Sequence, residues 1–254
     1  MDKVIDTHAH LDEVENLDQA LATAKESGVQ SIICVGQSPE SNKKVLEIAS
    51  RYPGYVFPAL GLHPWSIHEL LPVQLEEALG QVEAGASNAI AIGEIGLDYD
   101  KRLLKLTSKD AQKVVFKRLM NIAVKSGKPV SVHSRYAWKD CFDIVHSSGA
   151  KKVVFHWFTG LSSVLREIID AGYYVSATPA AEYHEEHRRA IKEAPLDKLL
   201  LETDCPVVYR EKQERSQPSD VLHSLRAAAE LKGTSEAEIA RRTTENAIEL
   251  FGIH

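Results

Sequence analysis

Cysteine is scarce in this chain: three residues, Cys34, Cys141 and Cys205, among 254. An odd, sparse count speaks against a disulfide framework and for a reducing compartment. With no C-x-x-C pair, thiolate metal spacing is absent, and Cys34 and Cys141 read as small core residues. No apolar run approaches the length of a transmembrane helix, so none is expected. The N-terminus enters a strand-like run at once and leaves no room for a signal peptide, so a cytoplasmic location is expected. Positive charge is not in excess either: 30 Lys and Arg against 36 Asp and Glu give a formal net charge of −6. A protein that coats duplex DNA non-specifically is usually basic, so any nucleic-acid contact here must be local. No linker, low-complexity segment or charge block marks a boundary, and one domain over residues 1–254 is expected.

What is present is a rhythm. Eight short apolar runs appear: Val4–Thr7, Ser31–Val35, Val56–Leu60, Ala89–Ile92, Val130–Val132, Lys152–Phe155, Tyr173–Ser176 and Leu199–Leu201. Most are rich in Val and Ile and do not alternate with polar residues, the look of parallel strands covered on both faces. Helix-like segments lie between them. "NLDQALATAKESG" spaces Leu17, Ala20, Leu21 and Ala24 for one face and stops at Gly28. "SPESNKKVLEIASRYPG" has Pro39 near its start, and "SKDAQKVVFKRLMNIAVKSG" has Ser108 as an N-cap and Gly127 as a stop. Similar segments lie near 137–147, 161–171, 182–193 and 219–231, and a last one follows Ser235. This order predicts a single α/β chain of the (β/α)₈ TIM-barrel type. An open doubly wound sheet is the alternative, but its G-x-G-x-x-G is missing, and the first strand ends in T-H-A-H instead.

In such barrels the active site lies at the C-terminal ends of the strands. Those ends carry His8 and His10, His63, Glu94, His133, His156, and Glu202 with Asp204. Five of the eleven histidines thus sit at predicted strand ends. Imidazole nitrogen and carboxylate oxygen are the usual non-thiolate ligands of divalent ions. Four histidines and two carboxylates are too many for one tetrahedral ion and suit two, one carboxylate bridging. A pair of ions can activate water and hold both attacking and leaving oxygens. His184 and His187 form an H-x-x-H pair, but "EYHEEHRR" reads as a solvated helix face.

Taken together, "IDTHAHLD", "GLHPW", "GEIGLDY", "PVSVHSR", "HWFTG" and "LLETDCP" resemble the TatD family of metal-dependent hydrolases, in family order from Val4 to about Phe251. The resemblance implies divalent-metal-dependent deoxyribonuclease activity, often 3′→5′ exonucleolytic. It implies one ion on His8, His10 and Asp204, a second on His133 and His156, Glu94 bridging them, and His63 in the substrate pocket. Zn, Mn, Mg or Ni suit such ligands to different degrees. Asp6 keeps the facing of His8 and His10 and is expected to orient an imidazole or to serve as a core hydrogen-bonder. The chain departs from the family pattern at Tyr136, where an acidic residue often follows "HSR". It also departs in "REKQERSQPSD", Arg210 to Asp220.

The expected reaction is hydrolysis of a phosphate ester at DNA 3′ or single-stranded ends, with Asp204 as general base. Arg135 is the expected phosphate partner, with Lys101, Arg102, Arg210, Lys212 and Arg215 as further cations near the mouth. Trp65, Trp157 and Tyr99 are candidates for stacking on a base, the alternative for Trp157 and Tyr99 being that they pack under loops. No membrane and no obligate protein partner are implied. The alternatives are an amide or ester hydrolase of the same barrel class and a binding protein without activity. Many of the former bridge their metals with a carboxylated lysine on the fourth strand, and "AIAIGEIGLDY" has none.

Overall fold

The computed structural model describes residues 3–209 and 214–253. Eight parallel strands follow one another in chain order around a sheet: β1 Val4–Ala9, β2 Val29–Val35, β3 Val56–Leu60, β4 Ala91–Gly96, β5 Val130–His133, β6 Val153–Phe155, β7 Tyr174–Ala177 and β8 Leu199–Leu201. Helices alternate with them: α1 Leu17–Glu26, α2 Pro39–Arg51, α3 Pro64–Ile67, α4 Pro72–Gly85, α5 Lys109–Ser126, α6 Trp138–Ser148, α7 Ser162–Asp170, α8 Glu185–Glu193, α9 Val221–Lys232 and α10 Glu236–Phe251. This is a nearly closed (β/α)₈ barrel. No helix of the described residues is long and apolar enough to cross a membrane.

The local chemistry explains the boundaries. The side chains of Ser38, Ser108 and Ser235 accept hydrogen bonds from the N–H groups of Ser41, Ala111 and Glu238, capping α2, α5 and α10. Gly127, at φ 66°, ends α5 in the left-handed conformation that favours glycine. Along the strands Ile32, Ile33, Val35, Ile92, Val130 and Val153 are fully buried, as parallel strands sandwiched between two layers must be. Ile5, Ile33, Val154 and Leu200 form a second apolar cluster with Leu250, Phe251 and Ile253 at the C-terminal end of the chain. Cys34, Cys141 and Cys205 are buried and unpaired.

Seven parallel pairings join β1 through β8 in order. The seam between β8 and β1 is made differently. Thr7 Oγ1 donates to Leu201 O at 2.9 Å, Asp204 N–H to His8 O at 2.8 Å and His10 N–H to Cys205 O at 2.8 Å. The Asp6 carboxylate accepts from Thr203 N–H at 3.0 Å and Thr203 Oγ1–H at 2.6 Å. Asp6 also takes the backbone N–H of His8, not its imidazole, so it is a core hydrogen-bonder that ties the first strand to the last. Burial pushes its carboxyl up to about 8, against the pull of Thr203 and His8. This seam fixes the backbone of His8 and His10 beside that of Asp204.

Candidate metal centre

All six expected ligands converge at the C-terminal ends of the strands. Glu94, 3% exposed near the end of β4, is the hub. Its Oε1 lies 2.7 Å from His133 Nδ1, 2.8 Å from His156 Nε2 and 3.5 Å from His63 Nε2. Its Oε2 lies 3.4 Å from both His8 Nε2 and His10 Nε2. Asp204 Oδ1 faces the second group, 3.3 Å from His10 Nε2 and 3.6 Å from His8 Nε2. One carboxylate therefore points an oxygen at each of two imidazole sets.

Of these five imidazoles, His8, His10 and His133 are turned by a hydrogen bond at the other nitrogen, and His156 only faces an acid there. His10 Nδ1–H donates to Val35 O at 3.0 Å, and His8 Nδ1 lies 3.2 Å from Ser131 Oγ. His133 Nε2 lies 3.0 Å from Asp98 Oδ2, and His156 Nδ1 faces Glu202 Oε1 at 3.4 Å. A proton held on the outer nitrogen leaves the inner one a lone pair, which is how a ligating histidine is set. His63 differs. Its Nδ1 accepts from Trp65 N–H at 3.2 Å as the N-cap of α3, so its proton sits on Nε2, toward the cavity.

The electrostatics suit a cation. Burial alone would push Glu94 up, but His63, His156 and His8 outweigh it and hold the carboxyl well below the usual range. Burial likewise acts to raise Asp204, and the His10 hydrogen bond with the nearby His8 and His156 brings it down. At His10 burial disfavours the charged ring, yet Asp204 and Glu94 raise it well above an ordinary histidine. His8 and His63 are lowered chiefly by burial. The donor set is nitrogen and oxygen throughout. His8 Nε2, His156 Nδ1 and Glu202 Oε2 are buried without a hydrogen-bond partner. Buried polar atoms normally have partners, so a divalent ion fits this cluster.

The ligand atoms group in three ways that can hold an ion: His8, His10 and Asp204; His63, Glu94 and His133; and His8, His156 and Glu202. The first is the expected trio. The second places His63 with Glu94 and His133, where the sequence reading placed His156. His156 is close to Glu94 but also reaches Glu202, a strand-end acid to which no role was given.

Above the centre opens a cavity of about 880 Å³ whose lining includes Arg135, Tyr136, Trp138, Trp157, His184 and Arg215. β5 ends at His133, so Arg135 reaches the cavity from a turn and not from the strand. Trp157 lines the cavity as expected, but Trp65 and Tyr99 do not: Trp65 Nε1–H donates to Asp98 at 2.9 Å and Tyr99 bonds Asp140. Arg102 pairs with Asp100 at 3.0 Å, and neither Lys101 nor Arg102 lines the cavity. Arg210 and Lys212 lie outside the described residues.

His187 also departs from its sequence reading. It is fully buried, its Nδ1–H donating to Phe158 O at 3.0 Å and its Nε2 accepting from Thr178 N–H at 3.1 Å. Sequence reasoning gave no part to Asp98, which is fully buried and holds both His133 and Trp65. Burial would raise its carboxyl, but His133 brings it down to about 2. Its signal was an acid at the end of the apolar run "AIAIGEIGLD", where nothing else required charge.

Comparison with known proteins gives a consistent pattern. The family model described as TatD related DNase matches residues 5–252. "Deoxyribonuclease TATDN3" of Homo sapiens is 34% identical over 98% of this chain and 94% of its own. "Uncharacterized metal-dependent hydrolase YabD" of Bacillus subtilis is 33% identical over 99% of this chain and 100% of its own. Among solved structures, the TatD homologue YjjV of Escherichia coli superposes with a TM-score of 0.89 at 26% identity, covering 99% of this chain and 98% of that one.

Proposed function

Since the chain belongs to the TatD-related DNase family of metal-dependent hydrolases, we propose that it is a two-metal phosphodiesterase that removes nucleotides from DNA ends in the 3′→5′ direction. The observation that carries this reading is Glu94, one oxygen toward His133 and His156 and the other toward His8 and His10. In it, His8, His10 and Asp204 would hold one divalent ion, His133 and His156 the other, and Glu94 both. Bound there, the ions would supply an activated water and stabilise phosphoryl and leaving-group charge.

The chain's own groups do the rest. Asp204, kept ionised by the histidines beside it, takes the proton of the attacking water as general base. His63 is neutral and keeps its proton on Nε2, so it donates a hydrogen bond to the substrate phosphate. Arg135 stands on the cavity wall with its side chain 45% exposed and one terminal nitrogen 3.5 Å from Asp100, and offers the phosphate its remaining N–H donors. A cavity of about 880 Å³ is of a size to take a nucleotide end, not a duplex laid across it. Glu94 stands where the bridge would be, and no lysine lines the cavity among the described residues, which counts against the reading with a carboxylated lysine.

The test is a metal-titrated assay on 5′- and 3′-labelled oligonucleotides, single- and double-stranded. The expected result is metal-dependent release of mononucleotides from 3′ ends, silent in His133→Ala and Asp204→Ala. Undiminished activity of metal-free Asp204→Ala protein would overturn the proposal, and preferential turnover of lactones or cyclic amides would replace the substrate class.

A further inference from the structure

The turn after β5 carries a residue that neither holds a ligand nor fills the core. Ala137 N–H donates to Ser134 O at 3.1 Å, closing a turn with Tyr136 at its third position. Tyr136 has φ 55°, a conformation that turns ordinarily give to Gly or Asn and that is an outlier for a bulky side chain. Its ring is not repaid by burial, being 57% exposed on the cavity wall. The turn is nevertheless held in place, since Tyr99 N–H donates to Arg135 O at 2.9 Å. Residues kept in sparsely populated backbone regions cluster at ligand clamps.

What surrounds the ring indicates what it clamps. Trp138 meets it edge-on, ring centroids 6.0 Å apart at 70°, and lines the same cavity. Trp138 is itself packed on the core and closed in by Gly160, where an added Cβ would come within 2.5 Å of its Cγ. The Arg135 guanidinium lies 5.6 Å from the Tyr136 centroid. An exposed aromatic side chain, a fixed aromatic neighbour and an adjacent cation together match one nucleotide: a flat base beside its phosphate.

We infer that Tyr136, braced by Trp138, is a stacking platform for an unpaired nucleobase of the substrate strand and thereby sets a preference for single-stranded ends. The inference rests on the reading of the cavity as a nucleic-acid site and adds the residue that tells an unpaired base from a paired one. A base within a duplex has both faces covered by its own stack and must leave it to reach the ring.

The test uses the metal-loaded protein and a single-stranded oligonucleotide with 2-aminopurine at its 3′ end. Base fluorescence is followed by rapid mixing before turnover, and KM and kcat are measured afterwards. Wild type is expected to quench the base. Tyr136→Ala is expected to lose the quench and to raise KM for the single strand by about tenfold or more, with kcat kept. Tyr136→Phe and Tyr136→Trp should restore both. Tyr136→Gly, which relieves the backbone at φ 55°, should bind as poorly as Tyr136→Ala while melting no lower than wild type. Equal quenching and KM in wild type and Tyr136→Ala would overturn the inference, as would wild type that binds no single strand. Wild type that binds and quenches but releases no nucleotide would overturn the phosphodiesterase reading and leave this one standing.

Discussion

Among the described residues two places bury histidine completely, and they use it in opposite ways. His187 has both ring nitrogens engaged by backbone, one donating to Phe158 O and one accepting from Thr178 N–H. His8 is equally buried, yet its Nε2 has no hydrogen-bond partner and faces two carboxylates. Burial is therefore no guide to function here. What differs is the partner: a histidine engaged on both sides by backbone joins the scaffold, and one with a ring nitrogen turned to carboxylates is set to bind a cation. Around Glu94 the other imidazoles also turn one ring nitrogen to a carboxylate, His133 and His156 to Oε1 and His10 to Oε2.

The largest effect should come from the second kind of site. Asp204→Ala is expected to lower single-strand hydrolysis by about a thousandfold and to lose bound metal, read by elemental analysis after chelation and reloading. His187→Ala should leave metal content at the wild-type level. It strands a buried N–H and a buried carbonyl, and a loss of ~2–4 kcal/mol in urea unfolding is expected. Loss of metal in His187→Ala would erase the distinction between the two environments.

The pH dependence follows from the same residue. Burial holds His187 at about 4 in the fold, below the ordinary histidine value of 6.5. Between those values the unfolded chain binds a proton that the folded chain refuses, so stability rises with pH. The contribution is complete above 6.5 and is lost as pH falls toward 4, amounting to ~3 kcal/mol in all. His187→Gln should flatten that slope in a pH series of unfolding midpoints, and an unchanged slope would show that another group carries it. The smallest effect concerns the residues behind the candidate ligands. Asp98→Asn, and separately Glu202→Gln, should weaken divalent-ion affinity by about 10- to 100-fold, measured by competition with a fluorescent chelator, with little change in melting.

The strands were the most legible part. Runs such as SIICV and LLL are covered on both faces, as buried parallel strands are, while AIAI marked its strand two residues early, the strand running from Ala91 to Gly96. α4 was not legible: it contains Gly80 and Gly85, and Val73 on it is 68% exposed, so its apolar residues do not define one face. The strand-end cluster of acids and imidazoles was legible because a strand repeats its facing every two residues and a barrel collects strand ends. Beyond the last strand residue that periodicity lapses. For this reason Trp65 and Tyr99 turned away from the cavity while Tyr136 and Trp138 turned into it. His187, in a charged segment, looked solvated because no local pattern reports that Phe158 O and Thr178 N–H close over it.

Residue types and their spacing along the chain were enough to establish a barrel, the acids and imidazoles at its strand ends, and a cation chemistry for them. Those properties follow from periods of two and of 3.6, which act over a few residues. Folding alone decided which oxygen of Glu94 meets which imidazole, that Asp6 closes a seam, that Asp98 stands behind His133, and that Tyr136 faces the cavity. Each of these depends on atoms brought together from distant segments, and the directions of side chains in such contacts are set by packing and not by local sequence.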